Sequence, residues 1–433
     1  RSRAHARRAD RRRRMTTGAR GGFAALDPCV HCGFCLQACP TFLATGDEAD
    51  GPRGRIELMR ALERGELDEG DSALARHLDR CLGCRGCEPV CPSGVGYGFG
   101  LEAARERLAR RRGVPLLARL ALSAMTTPKL SRAVYALARA LRATGLPARI
   151  AGWSRWRFGM GMLAATKAVG RLDGWTVGST VRPPSVHPTI RPPVHLFRGC
   201  VMDGLFSHVH DATIRTLGVN GYEVREVEAQ VCCGALHAHA GMQDAARSLA
   251  RANVAAFGDG DEAVVVNSAG CGAQLKAYGH VLENPGGARF AARVRDVTEL
   301  LVERGPVPGA PLGHSLRVAY DAPCHLAHAQ RVIEAPLTVL RAVPGLDLSE
   351  TADSSQCCGS AGLYTLLEPA LSREVLTPKL ARLLEAPPDV VATGNPGCLM
   401  QIGSGLLATR AAVSVRHPVE LLDLSYRAAG RYA

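Results

Sequence analysis

The sequence lacks the features that mark several common classes of protein. No apolar run approaches the roughly 20 residues that a helix needs to span a bilayer. The alternating glycines from Gly94 to Gly100 follow a Cys-Pro turn and lack the spacing of a dinucleotide-binding loop. No helix-turn-helix or zinc-finger pattern is present. The sequence therefore does not predict a membrane-spanning helix, a bound dinucleotide or a common type of DNA-binding domain.

Acidic residues are missing from one long stretch of the chain. Residues 110–172 carry thirteen Lys and Arg but no Asp or Glu, and residues 1–14 carry eight Arg and one Asp. We expect residues 1–22 to be a disordered basic tail. Residues 109–193 read as a basic amphipathic helical segment that ends in a Pro-rich linker. This segment either packs on the other domains or presents residues 113–173 to anionic lipid or to an acidic partner.

Cysteine, in contrast, is abundant. The 433 residues include 16 cysteines, and eight of them form two runs of the pattern C-x2-C-x2-C-x3-C-P. This pattern is the ligand run of bacterial two-cluster iron–sulfur domains, in which the fourth cysteine of each run binds the other cluster. Structural zinc is the alternative, but it does not require a triple run followed by Cys-Pro, twice. The predicted ligands are Cys29, Cys32, Cys35 and Cys91 for [4Fe-4S] cluster 1, and Cys39, Cys81, Cys84 and Cys87 for [4Fe-4S] cluster 2.

Apolar spacing predicts a mostly helical fold for residues 23–108, which carry both runs. Helices are expected at Gly54–Leu67, Ser72–Asp79 and Gly100–Arg112. Four arginines lie close to the ligand runs and are either surface residues or groups that raise the cluster potentials. They are Arg53, Arg55, Arg80 and Arg85.

The remaining eight cysteines form two matched sets, which reveals an internal duplication. We call the two copies repeat 1 (residues 194–310) and repeat 2 (residues 316–427). The repeat-1 set is Cys200, Cys232, Cys233 and Cys271, and the repeat-2 set is Cys324, Cys357, Cys358 and Cys398. Each set includes a Cys-Cys-Gly step, and four histidines lie near the two sets, namely His237, His239, His325 and His328.

Each repeat reads as an α/β domain. Short β-branched runs precede the first and the last cysteine of each set, and helical stretches lie between them, which predicts a parallel sheet. Matched sets of four thiols favour metal binding, either by additional iron–sulfur clusters or by zinc. The fold class is therefore multidomain α+β, with a mostly helical two-cluster ferredoxin domain followed by two duplicated α/β cysteine-rich domains.

These motifs resemble the iron–sulfur subunit of bacterial glycolate oxidase (glycolate dehydrogenase). The residues that carry the resemblance are Cys29–Pro40, Gly46–Arg55, His77–Glu88, Cys91–Gly94 and the two Cys-Cys-Gly units. Heterodisulfide reductase, lactate-utilisation proteins and anaerobic glycerol-3-phosphate dehydrogenase share the cysteine-rich domain. One departure is that Ser268 and Asn395 stand where heterodisulfide reductase has a further cysteine. The unusual non-cubane cluster and disulfide-cleaving chemistry of that enzyme are therefore not expected.

The resemblance implies an oxidoreductase subunit that transfers electrons and has no catalytic residues of its own. FAD would reside only on partner glycolate oxidase subunits, and a quinone or similar molecule would accept the electrons. The expected location is the cytoplasm, with peripheral contact at the inner face of the cell membrane. The alternatives within this class are the iron–sulfur subunit of a lactate dehydrogenase, of a glycerol-3-phosphate dehydrogenase or of a heterodisulfide-reductase-like complex. An alternative of another class is an iron–sulfur redox sensor that binds nucleic acid. The favoured interpretation, a glycolate oxidase subunit, implies no nucleic-acid partner.

Overall fold

The computed structural model describes residues 21–152, 154–167, 191–312, 315–351 and 353–432. These residues divide into two compact units. The first comprises the residues up to 114 together with 239–241, and the second comprises 115–238 and 242–433. The basic tail predicted for residues 1–22 and the Pro-rich linker at 182–193 lie mostly outside the described residues.

The first unit is helical. Its helices are α1 (Pro40–Thr45), α2 (Pro52–Glu63), α3 (Ser72–Asp79) and α4 (Tyr97–Arg112), with 3-10 turns at Gly22–Leu26 and Glu48–Asp50. Asp71 caps α3 by accepting hydrogen bonds from the backbone N–H groups of Ala73 and Leu74. Apolar side chains of α2, α3 and α4, including Met59, Leu78 and Leu108, are fully buried in one core. The mostly helical prediction for this region is confirmed.

Helix α4 begins three residues before the predicted Gly100. Gly98 and Gly100 lie inside the helix although glycine disfavours helix interiors. A Cβ added at Gly100 would lie 2.5 Å from the Leu26 side chain, so the missing side chain lets Leu26 pack directly on the helix. Tertiary packing therefore outweighs the low helix propensity of glycine at this position.

The described part of the basic segment in the second unit, residues 115–152 and 154–167, forms four helices. They are α5 (Leu116–Thr126), α6 (Pro128–Ala143), α7 (Leu146–Arg149) and α8 (Arg155–Ala164). Helix α8 packs on a helix of repeat 2 through small residues. A Cβ added at Gly161 would lie 2.3 Å from Ser404 Oγ, and that hydroxyl donates to the carbonyl of Phe158 at 2.8 Å.

Repeat 1 contains a four-stranded parallel sheet of order β2-β1-β3-β4. The strands are β1 (Pro193–Phe197), β2 (Glu223–Glu226), β3 (Ala263–Val266) and β4 (Val294–Asp296). The helices are α9 (Cys200–Leu205), α10 (Ser207–Val219), α11 (Ala235–His239), α12 (Gln243–Phe257), α13 (Ala269–Lys276), α14 (Tyr278–Leu282), α15 (Pro285–Arg293) and α16 (Val297–Arg304).

Repeat 2 contains a second parallel sheet with the equivalent order β6-β5-β7-β8. The strands are β5 (Leu316–Tyr320), β6 (Leu346–Glu350), β7 (Val390–Ala392) and β8 (Ser414–Arg416). The helices are α17 (Glu334–Arg341), α18 (Tyr364–Leu367), α19 (Pro369–Glu385), α20 (Pro396–Ala408) and α21 (Pro418–Ala428), with a π-helical turn at His325–Ala329.

The two repeats share one hydrophobic core. Side chains of both sheets and of their covering helices contribute to it, among them Leu196, Val265, Val318 and Tyr426. The predicted pair of α/β repeats with parallel sheets is confirmed. Among the described residues, no helix has the length and apolar character needed to cross a membrane.

Candidate metal centres

The eight cysteines of the two ferredoxin runs line two clefts. Cys29, Cys32, Cys35 and Cys91 line one cleft, and the set at Cys39, Cys81, Cys84 and Cys87 lines a second cleft, with Cys87 also bordering the first. The fourth cysteine of each run therefore lies in the cleft of the other run. This arrangement corresponds to the exchange of ligands between two neighbouring clusters.

The four thiol donors of each set fit a [4Fe-4S] cluster. All the cysteines are free thiols, so no disulfide competes for the sulfurs. Gly33 and Gly83 adopt positive φ angles of 81° and 64°, which lets each ligand loop curl between its cysteines. Cys29, Cys32, Cys35 and Cys91 would hold cluster 1, and Cys39, Cys81, Cys84 and Cys87 would hold cluster 2.

A buried arginine lies beside the cluster 2 ligands. Arg55 is 0% exposed, and its Nη1 lies 4.0 Å from Cys39 Sγ and 2.9 Å from Thr41 Oγ1. Its Nε donates to the carbonyl of His77 at 2.7 Å. Asp50, also fully buried, balances the charge with a carboxylate oxygen 3.4 Å from Arg55 Nη2. Thus each nitrogen of the guanidinium has a partner, and the charge is held in place away from solvent.

The charge of Arg55 acts on the neighbouring thiols. Burial disfavours the guanidinium charge, but the thiolates of Cys81 and Cys39 together with Asp50 outweigh it and hold the pKa of Arg55 above its usual value. Burial likewise opposes ionisation of Cys81, yet Arg55 and Arg105 lower the pKa of that thiol. Tyr97 adds a hydroxyl 3.5 Å from Cys81 Sγ. Negative charge is therefore stabilised on the Cys81 sulfur, whereas burial raises the pKa of Cys39 and of Cys87.

The cluster 1 cleft is more open to solvent. Cys32 is exposed, and the neighbouring Val30 and Phe34 are 68% and 67% exposed. Burial raises the pKa of Cys35 to about 11. Arg53 approaches this loop from outside, where its Nη1 donates to the carbonyl of His31 at 3.1 Å. Of the four arginines singled out in the sequence, only Arg55 is fully buried.

In each repeat, the cysteine set gathers at the carboxyl ends of the sheet strands. Cys200 starts α9 just after β1, and Cys271 lies in the first turn of α13 after β3. Cys398 holds the equivalent place in α20 after β7. Cys200 Sγ lies 3.5 Å from Cys232 Sγ, and Cys233 Sγ lies 3.4 Å from Cys271 Sγ. In repeat 2, the Cys358 and Cys398 sulfurs are 3.4 Å apart.

The four thiols of each repeat lie in one row of neighbours. In repeat 1, hydrogen bonds between thiols join Cys200 to Cys232, Cys232 to Cys233 and Cys233 to Cys271. Four thiols gathered in this way can bind a metal centre, either an iron–sulfur cluster or a zinc ion.

Asn395 connects the two cysteine sets of the repeats. Its Nδ2 donates to Cys398 Sγ at 3.5 Å, and its Oδ1 accepts from the backbone N–H of Gly270, next to Cys271, at 3.1 Å. The sequence identified Asn395 only as a position without the additional cysteine. Its bridging role follows from how the two repeats pack together.

Two further side chains lie near the cysteines of the repeats, and the sequence connects only one of them with those cysteines. The Tyr135 hydroxyl, from α6, is buried without a hydrogen-bond partner among the described residues, and its pKa is raised by burial and by the neighbouring Cys200 and Cys232. Nothing in the local sequence connects Tyr135 with cysteines that follow it by 65 residues or more. His325, by contrast, directly follows Cys324 in the sequence, and its Nδ1 lies 3.5 Å from Cys324 Sγ.

Comparisons with known proteins match this arrangement. The family model described as "4Fe-4S dicluster domain" matches residues 25–95, and the one described as "Cysteine-rich domain" matches residues 194–276 and 318–403. The probable glycolate oxidase iron-sulfur subunit of Bacillus subtilis is 33% identical over 93% of this chain and 94% of its own length. The glycolate oxidase iron-sulfur subunit of Escherichia coli is 34% identical over 92% of this chain and 93% of its own length.

This chain belongs to the family of glycolate oxidase iron–sulfur subunits. More distant similarity extends to lactate utilization protein A of Geobacillus kaustophilus, which is 30% identical over 53% of this chain and 98% of its own length. The glycolate oxidase iron–sulfur subunits match both the dicluster region and the two repeats in one alignment. The resemblance noted in the sequence is confirmed.

Proposed function

We propose that this chain is the electron-transfer subunit of an enzyme that oxidises glycolate to glyoxylate. The observation that carries the proposal is the pair of clefts in which the two sets of ferredoxin cysteines meet, in a chain related over nearly its whole length to glycolate oxidase subunits. FAD on partner subunits takes the hydride from the substrate, and this chain receives the electrons. A quinone or similar molecule is the acceptor.

In this proposal, residues of the chain bind the metal centres and shield them from solvent. When bound, each [4Fe-4S] cluster accepts and releases one electron without large rearrangement of its ligands. Cys39, Cys81 and Cys87 are buried, so the cluster 2 cleft is shielded from solvent. Arg55 and Thr41 stabilise additional negative charge there through contacts to the sulfur of Cys39. The open cluster 1 cleft is the suitable place for an electron to enter or leave.

The cysteine sets of the repeats extend the electron path in this proposal. Each repeat brings four free thiols together, and we expect these thiols to bind additional iron–sulfur centres, with zinc as the alternative. The hydrogen bond with Cys358, together with burial, keeps the pKa of Cys398 well above its usual value, while hydrogen bonds with Cys357 and Cys398 lower that of Cys358. Metal binding requires thiolates, so these thiols would lose their protons when a metal centre forms.

The location proposed for the complex is the cytoplasm, with peripheral contact at the inner face of the cell membrane through residues 113–173. A quinone acceptor dissolved in the bilayer would require such contact. Specificity for glycolate belongs to the partner subunits. A lactate-oxidising complex is the second candidate, and the similarity to lactate utilization protein A favours it, although over about half of the chain.

Metal analysis of the chain, purified without oxygen, tests the proposal. Iron, sulfide and zinc are measured per polypeptide, with EPR spectra of the reduced sample. Two cubanes correspond to about eight irons. A clearly higher iron content with additional EPR signals is expected, since the repeats also carry thiol sets. About eight irons with bound zinc would restrict electron transfer to the two ferredoxin clusters. Absence of iron after reconstitution would contradict the proposal.

Variants assign the iron to the two regions. Cys84→Ser is expected to remove the signal of cluster 2 and leave the signals of the repeats. Cys358→Ser is expected to remove the signal of the repeat-2 set and leave the signal of cluster 2. Reduction of a dye by the complex co-expressed with its flavoprotein subunits, assayed with glycolate, lactate and glycerol 3-phosphate, distinguishes the candidate substrates. Equal loss of all signals in both variants would show that the metal centres do not form independently.

A further inference from the structure

Helix α6 presents its apolar stripe to solvent. Leu130, Val134 and Leu137 follow the i, i+4, i+7 spacing of one helix face, and all three are exposed, Leu137 by 72%. No residue of α6 is buried. A surface helix of a globular protein normally turns such a stripe toward the core. This helix therefore has the opposite orientation.

The polar side of α6 makes the contacts with the protein. Arg139 Nη1 donates to the carbonyl of Gly204 at 2.7 Å, and Arg142 Nη1 donates to the carbonyls of Leu205 and Thr166 at 3.1 and 2.7 Å. The ring of Tyr135 packs on Gly204, where an added Cβ would lie 2.5 Å from it. These contacts hold the helix in the orientation that exposes the leucines, so the exposure is a property of the fold.

The segments on either side of α6 also expose large apolar side chains. Among the described residues, fifteen large hydrophobic side chains are exposed, and eight of them lie between residues 116 and 150. We call these eight the apolar face: Leu116, Leu117, Leu120, Leu130, Val134, Leu137, Leu146 and Ile150. Such a concentration in 35 residues marks an interaction surface rather than the scattered apolar residues of an ordinary surface.

Cations without partners accompany the apolar face. Arg119, Lys129, Arg132 and Arg149 are exposed and form no ion pair with another described residue. Residues 110–172 contain no acidic residue that could neutralise them. A protein interface core is depleted of unpaired charge, whereas an anionic bilayer offers an apolar interior below a negatively charged surface. Charge complementarity therefore selects a lipid surface among the candidate occupants.

We propose that the apolar face and its cations form a monotopic binding surface for anionic lipid, with α5, α6 and α7 lying in the headgroup region. The inference rests on the proposed function in one respect, since an acceptor dissolved in the bilayer gives this contact its use. The leucines enter the boundary between headgroups and acyl chains, and the arginines and the lysine contact lipid phosphates. No helix needs to cross the bilayer.

Flotation with vesicles tests the proposal on the full-length, iron-loaded chain. The vesicles are pure phosphatidylcholine or phosphatidylcholine with about 30% phosphatidylglycerol, a fraction that gives an anionic surface. Strong binding is expected only to the anionic vesicles, and it should fall about tenfold or more when the salt rises from 0.1 to 0.5 M, because screening shortens the reach of the charges. Equal binding to both vesicles, or binding to neither, would overturn the proposal.

Two double variants separate the apolar and the charged contributions. Leu120→Gln with Leu137→Gln, and Arg119→Gln with Arg132→Gln, are each expected to weaken binding roughly 10- to 30-fold. The matched controls change exposed residues elsewhere in the second unit: Ile333→Gln with Leu407→Gln, and Arg251→Gln with Arg410→Gln. The controls should bind within about twofold of the unmodified chain, as expected for sites outside the apolar face. Controls that lose as much binding as the test variants would refute the proposal.

Further readouts separate this inference from the proposed function. Circular dichroism and iron content should be unchanged in all four variants, because every substituted side chain is exposed. Variants of the apolar face that keep vesicle binding but no longer copurify with the flavoprotein subunit would reassign the face to a protein interface and overturn the proposal. Loss of vesicle binding with intact iron content and dye reduction is the supporting result. Absence of iron would contradict the proposed function, whereas vesicle binding would still decide the lipid proposal separately.

Discussion

Arg55 shows how one side chain can set the electrostatics of a metal centre. It is the only one of the four arginines near the ligand runs that is fully buried, and it lies against the Cys39 sulfur. Asp50 neutralises it, and a hydrogen bond to Thr41 fixes its direction. A buried charge interacts more strongly with its neighbours than an exposed one because solvent screens it less. Arg55 is therefore the residue expected to raise the reduction potential of cluster 2.

Arg55→Gln is expected to lower the potential of cluster 2 by on the order of 100 mV. An opposite charge at 4–6 Å shifts a pKa by about 1–3 units, and the same free energy moves a one-electron potential by about 60 mV per unit. An EPR-monitored redox titration measures the potentials of the clusters. Arg64→Gln, at an exposed arginine paired with Glu66, is the control that should leave the potentials unchanged.

A double variant separates charge from packing at this position. Arg55→Gln with Asp50→Asn leaves the net charge unchanged, so the potential of cluster 2 should shift less than in the single variant. Because Asp50 also contacts Arg80 at 3.0 Å and His77 at 2.9 Å, Asp50→Asn alone is the control for the loss of those contacts. A single variant that retains its iron and also the original potential would show that Arg55 has only a structural role.

At the scale of the elements, close packing through glycine fixes how the basic segment is attached to repeat 2. Gly161 of α8 faces Ser404 of α20, and Gly403 faces Ala165, where an added Cβ would lie 2.6 Å from the alanine Cβ. Gly159 lies two residues before Gly161 in the same helix, yet an added Cβ there would meet nothing within 4 Å. The two glycines have the same propensity but different surroundings.

Gly161→Val is expected to destabilise the second unit by about 1–3 kcal/mol, because the added side chain separates two packed helices. Gly159→Ala, in contrast, is expected to stabilise the helix by about 0.5–1 kcal/mol, since alanine has the higher helix propensity. Thermal unfolding followed by circular dichroism compares the two variants with the unmodified chain. A Tm of Gly161→Val equal to that of the unmodified chain would show that α8 does not need this contact.

For the molecule as a whole, the shared core of the two repeats includes buried histidines from both copies. His210 of α10 and His417, which caps α21, are 0% and 1% exposed. Burial lowers the pKa of His210 to about 4 and that of His417 to about 3. Both are therefore neutral in the folded state at pH values where they would already be protonated in the unfolded chain.

Acid is expected to weaken the packing of the repeats through these groups. Because the pKa of His210 is lower in the folded than in the unfolded state, its stabilising contribution is complete above about pH 6.5 and is lost as the pH falls toward 4. Between pH 7 and pH 5, the unmodified chain should lose about 2 kcal/mol more stability than His210→Gln, which does not titrate. Anaerobic thermal unfolding of both proteins across this range measures the difference. Parallel pH profiles would show that His210 titrates normally.

The sequence by itself determined the chemistry and the plan of the chain. Ligand spacing such as Cys29 to Cys35 is local, so the cluster runs can be read without knowledge of the fold. The duplication of Cys232-Cys233-Gly234 at Cys357-Cys358-Gly359, with β-branched runs before the flanking cysteines, predicted two parallel sheets. The helix Ser72–Asp79 was predicted with its correct bounds, because Asp71 is a strong local cap.

Only the tertiary structure decided which residues act together across long separations. Periodicity shows that α6 is amphipathic, but only packing shows that its apolar stripe faces outward while Arg142 faces the protein. Asn395 and Gly270, which are 125 residues apart, meet because the two repeats share one core. Arg55 is one arginine among many in the sequence, and its importance depends on burial beside Cys39. Metal ligation depends on the order of residues along the chain, whereas electrostatic environment and surface exposure depend on what the fold places around each residue.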